Sequence, residues 1–94
     1  MDRSFIISYD LRGSTETSSD YAELIKAIKA YGYYAKLMLS TWIVVTDRSC
    51  KEVRDNLMQH MDNDDRLFVG PLPKGAYWHN IIAKTDWMNG RPSA

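Results

Sequence analysis

Twice in this chain an apolar, β-branched run ends in an aspartate, crosses a short polar loop and meets a pair of helix-capping residues. The first pass is Phe5-Ile6-Ile7-Ser8-Tyr9-Asp10-Leu11 followed by Asp20 and Glu23. The second is Thr41-Trp42-Ile43-Val44-Val45-Thr46 followed by Asp47, then Ser49 and Glu52. An acceptor three residues ahead of a glutamate satisfies the first free N–H groups of a helix, so each pass predicts a strand feeding a helix. The first helix carries Tyr21, Leu24, Ile25, Ile28 and Tyr31 at helical spacing, with Lys26 and Lys29 opposite, and Gly32 supplies a left-handed stop. The second carries Val53, Leu57, His60 and Met61 before the polar break Asp62-Asn63-Asp64-Asp65.

Two further strands complete the pattern. Tyr33 to Leu39 is separated from Thr41 to Thr46 by Ser40 alone, which implies a tight hairpin or a bulge. Leu67-Phe68-Val69 is stopped by Gly70-Pro71-Leu72-Pro73. The order β-α-β-β-α-β predicts an α+β, ferredoxin-like sandwich, with two helices on one face of a four-stranded antiparallel sheet in the order 4-1-3-2. The opposite face, apolar and aromatic, is expected to lack intramolecular cover and so to need a partner. A short fifth strand is expected within Ala76 to Ala83, Trp87-Met88 is read as a tail that packs back, and residues 89–94 are expected to fray. The whole is one domain over residues 1–94 with its core in about 3–84.

Composition narrows the function classes. Ninety-four residues bury only about 60–65% of their unfolded surface, so a face shared with a second copy is favoured from length alone. Twelve basic and twelve acidic residues give no net charge, which argues against a strongly basic nucleic-acid binder. The longest apolar run, Trp42 to Val45, is far short of the roughly 20 residues that cross a bilayer. No signal-peptide core follows Met1, and the single cysteine, Cys50, has no partner, so a reducing, cytoplasmic setting is expected.

The candidate chemistry gathers at one sheet end. In the 4-1-3-2 order, Asp10 lies near Ser40-Thr41 and near Asp64-Asp65-Arg66. Asp10 and Asp65 form a candidate pair of oxygen donors for Mg²⁺, with Ser40 as a polar neighbour, and such an ion would serve phosphodiester cleavage. Asp10 also fits capping the loop or pairing with Arg12 or Arg66, and Asp65 also fits a solvated helix–strand junction. Asp47 reads as a helix cap. An EF-hand reading of the acidic run fails, since the glycine position is Leu67 and the glutamate position is Pro73. His60 and His79 lack a second ligand at metal-type spacing, and Cys50 lacks a triad partner. The aromatics Tyr31, Tyr33, Tyr34, Trp42, Tyr77 and Trp78 fit packing better than base stacking, because the basic residues form no stripe between them.

Tyr9-Asp10-Leu11 closing an apolar strand, Ile28-Lys29-Ala30-Tyr31-Gly32 ending a helix and Leu39-Ser40-Thr41-Trp42-Ile43-Val44 opening a strand resemble a known family. With Asp65 to Trp78, they are similar to the small subunit of the CRISPR adaptation complex, the CRISPR-associated endoribonuclease-like family, and most of all to its SinR-like relatives. The likeness spans about Phe5 to Trp78. It implies a homodimer joined sheet face to sheet face, the last strand of one subunit extending the partner's sheet. It also implies that Asp10 from both copies holds a divalent metal for cleavage of RNA or DNA, with Ser40 as the matching serine. Of the basic residues that such members carry after the aspartate, the loop here keeps Arg12 as the candidate nucleic-acid contact. Two expectations result: a dimeric, Mg²⁺-dependent nuclease-like protein, or a non-catalytic dimeric module that docks a protein partner.

Overall fold

A computed structural model describes residues 2–11 and 19–92, with the side chains of residues 19 and 20 left aside. The elements are β1 (Arg3–Asp10), α1 (Ser19–Lys29), β2 (Tyr34–Met38), β3 (Thr41–Thr46), α2 (Cys50–Met58), β4 (Arg66–Pro71) and α3 (Thr85–Gly90). The four strands form one antiparallel sheet in the order β2-β3-β1-β4, so the α+β class and the strand order agree with the sequence reading. Arg12 lies outside the described residues, as does the side chain of Asp20 on which the first cap expectation rests.

Local chemistry explains the element ends. Ser49 Oγ accepts from the Glu52 N–H at 3.1 Å and the Glu52 carboxylate accepts from the Ser49 N–H at 3.1 Å, a complete capping box for α2. The cap is therefore Ser49 and not Asp47, which is exposed. Gly32 has φ +84°, the left-handed stop that a side chain would strain. Leu39 and Ser40 form the two-residue turn of a tight β2–β3 hairpin, as expected, and the ladder irregularity falls within β2, between Lys36 and Met38. Pro71 ends β4 within the ladder opposite Phe5, tolerated because β4 is an edge strand.

Alternation along β1 divides the interior in two. Phe5, Ile7 and Tyr9 face the helices, where they pack with Trp42 and Val44 of β3, Leu24 and Ile28 of α1, and Val53 and Leu57 of α2. Each fully buried aliphatic side chain here contributes about 1.5–3 kcal/mol relative to exposure. The Trp42 indole N–H donates to Tyr9 Oη at 3.2 Å, which satisfies the polar edge of a ring that is only 4% exposed. Trp42 is thus closed to base stacking.

The other face differs from expectation. Residues 72–91 fold back across part of it, placing Met88 against Leu37 and Ile43, with Ile6, Leu72, Trp78, Ile81, Ala83 and Trp87 around them. The sheet face is therefore half covered by its own chain, because these apolar residues have no other surface to bury against. The fifth strand expected within Ala76 to Ala83 is absent. Gly75 at φ +95° and Asn80 at φ +55° break the extended backbone, and Ile82 N–H to the Leu37 carbonyl (3.0 Å) ties the segment to β2 at a point, with no ladder. Trp87 and Met88 pack back as read, within α3.

The frayed tail is a second correction. Arg91 is only 2% exposed, and its guanidinium donates to the carbonyls of Leu72 (2.7 Å) and Pro73 (3.1 Å). Burial pushes its pKa down from the usual arginine value. Ser4 Oγ donates to the Pro92 carbonyl, so the chain is pinned through residue 92. Among the described residues, no helix is long and apolar enough to cross a membrane.

Candidate functional site

The uncovered half of the outer sheet face is built by the even-numbered positions of β1 and their cross-strand neighbours. Ser8 stands opposite Thr41 on one side and Phe68 on the other, and Asp10 stands opposite Arg66. The Ser8 and Thr41 hydroxyls are hydrogen-bonded at 3.2 Å. Phe68 is 63% exposed in mid-strand, and its ring lies so close over Gly70 that an added Cβ would stand 2.9 Å from it. Glycine two residues on therefore lets the ring lie against the sheet, where an alanine would displace it. Ser8, Tyr9, Asp10, Arg66, Leu67 and Phe68 line a shallow depression of about 260 Å³.

Of the expected site residues, the fold brings Asp10 and Ser40 to the same sheet end. The Tyr9 N–H donates to the Ser40 carbonyl at 3.1 Å, one residue before Asp10. Asp10 Oδ2 accepts from Arg66 Nη1 at 3.3 Å, with both side chains well exposed, so the pair contributes at most about 1 kcal/mol. Pairing with Arg66 is among the structural roles that the sequence left open for Asp10.

Asp65 is placed differently. Its Oδ2 accepts from the Asp62 N–H at 2.8 Å and its own N–H donates to the Asp62 carbonyl at 3.1 Å, which closes the turn that leads into β4. The carboxylates of Asp62, Asp64 and Asp65 come within 4.8 Å of one another, and Asp10 is not among them. Asp10 therefore contacts Arg66, and Asp65 closes the turn into β4. Exposed acidic groups of this kind are common without an ion.

The remaining candidates separate as well. His60 is half-buried in the turn after α2, and His79 is exposed in the covering segment. Tyr31 accepts from Asn56 Nδ2 at 3.0 Å, and Tyr33 packs edge-on against Trp87 at 5.3 Å, while Tyr77 is 98% exposed. Two residues escaped the sequence reading. Phe68 was legible only as an apolar strand residue, although its parity against Leu67 and Val69, which pack on the helix side, assigns it to the outer face. Arg91 had no local signal, because its acceptors lie some 18 residues away.

No family model matches the sequence.

Proposed function

We propose that this chain is a ferredoxin-like homodimerisation module whose open outer sheet face receives a second copy of itself. The observation that carries this reading is Phe68, a large apolar ring that lies close over Gly70 and is left 63% exposed in the middle of a strand. In the dimer proposed, a two-fold axis passing beside the Asp10–Arg66 pair sets the aspartate of each copy against the arginine of the other, and zero net charge adds no long-range repulsion.

Light scattering over a concentration series tests it. The wild-type mass is expected to rise from monomer to dimer, and Phe68→Glu to weaken association by at least about tenfold while leaving the circular dichroism melt unchanged. A wild-type chain that stays monomeric at high micromolar concentration, or a dimer indifferent to Phe68→Glu, overturns the assignment.

A second reading draws on the position of Asp10 at the rim of that same face. Two copies supply two Asp10 carboxylates to one region, the minimum set for a hard divalent cation, with Arg66 as a neighbouring phosphate contact. This arrangement supports metal-dependent cleavage of RNA or DNA phosphodiesters, the activity implied by the likeness to the CRISPR-associated endoribonuclease-like family. Calorimetric titration with Mg²⁺ is expected to give one ion per dimer, lost in Asp10→Asn. Heat that persists in Asp10→Asn, or a dimer that takes up no Mg²⁺, removes the nuclease reading and leaves the binding module.

A further inference from the structure

Residues 72–91 are attached to the body thinly. From Leu72 to Gly90 Met88 alone is fully buried, and Trp78, Ile81, Ala83 and Trp87 are only half-buried. Main-chain bonds to the body run from the Leu72 N–H to the Ser4 carbonyl (2.9 Å) and from the Ile82 N–H to the Leu37 carbonyl (3.0 Å). The two ends of the segment meet at one neck. Arg91 reaches across it to Leu72 and Pro73, Lys74 Nζ donates to the Asn89 carbonyl at 2.8 Å, and Ser4 Oγ holds the Pro92 carbonyl.

The neck is an unusual use of a cation. Among the described residues no carboxylate is in ion-pair contact with Arg91, all of its acceptors are main-chain carbonyls, and Nε has no hydrogen-bond partner. The hydrogen bonds of the guanidinium to the Leu72 and Pro73 carbonyls close the neck, and the desolvation of its charge offsets part of their strength, so the closure rests on the fork itself. A segment with few buried apolar contacts and a separate polar neck is the kind that opens as a unit while the rest stays folded.

We propose that residues 72–91 are a lid clasped by Arg91, and that lifting it extends the outer sheet face available to a second copy. Ile6, Leu37 and Ile43 lie beneath the lid on the same face as Ser8, Thr41 and Phe68, so an open lid joins the two halves into one apolar surface. The clasp thereby sets how strongly two chains associate. The gating half of this inference rests on the homodimer reading above, whereas the clasp itself does not.

Hydrogen exchange resolved by residue, paired with light scattering, tests both halves on the full chain. Arg91→Met keeps an apolar stem and removes the fork. It is expected to speed exchange of the Ile82 and Met88 amides at least about tenfold, to leave those of Val45 in β3 and Val53 in α2 unchanged, and to raise the dimer fraction. Arg91→Lys, which retains charge without the fork, is expected to fall between, and serves if the methionine variant does not fold. Unchanged lid exchange, or loss of protection in lid and sheet together, overturns the clasp. A lid that opens without raising the dimer fraction overturns the gating, and a wild-type dimer broken by Phe68→Glu in the same buffer shows that the outer face itself still stands.

Discussion

At the scale of single residues, the capping pair Ser49 and Glu52 shows how far local chemistry reaches. Its spacing identified the start of α2, and both reciprocal hydrogen bonds are present. The hydrogen bonds from the Ser49 main chain and side chain hold the Glu52 carboxyl below the ordinary glutamate value, with Arg48 and Lys51 adding to the effect. A depressed folded pKa contributes stability that is present above the unfolded pKa and lost as pH falls through the folded one. Urea midpoints are therefore expected to fall on acidification across that window, and Glu52→Gln to flatten this acid limb without altering the slope of the unfolding curve. An identical acid limb in the variant would show that other carboxylates, such as Asp55 beside Lys51 and Arg54, carry the dependence. Asp10 was legible to the same degree, since antiparallel register alone sets it beside Arg66. The contact of Asp65 was not, because a carboxylate that closes onto the Asp62 N–H depends on the geometry of a four-residue turn that composition does not encode.

At the scale of elements, what the sequence revealed best was what repeats. β3 is buried at every position from Thr41 to Thr46, its helix side by α1 and α2 and part of its other side by the segment 72–91, which the sequence reading had left uncovered. Val44, fully buried between the helices and β1, is the position where this matters most: Val44→Ala is expected to cost about 2–3 kcal/mol, read as a lower urea midpoint at constant slope. A loss below about 1 kcal/mol would mean that the helix layer collapses into the space. The covering segment was misread because an apolar run such as Ala76 to Ala83 has the same composition whether it pairs as a strand or lies across a face. Gly75 and Asn80 decide the matter through left-handed backbone, and neither is diagnostic until its φ is known.

At the scale of the whole molecule, the chain is a sandwich covered fully on one face of its sheet and half covered on the other. On the homodimer proposed above, the open half of that second face is what another copy covers. The mass measured by light scattering is thus expected to depend on concentration in the wild type and to remain that of one chain in Phe68→Glu. The three tryptophans are divided by this same architecture. Trp42 is sealed in the body beneath Lys29 and Lys36, whose ammonium groups stand 5.9 and 5.7 Å from its ring centre, whereas Trp78 and Trp87 ride on the segment that crosses the open face. Intrinsic fluorescence therefore has two spectrally separable sources, a dry indole with nearby cations and two wetter ones, and replacing Trp42 with phenylalanine leaves a chain that lights up its cover alone.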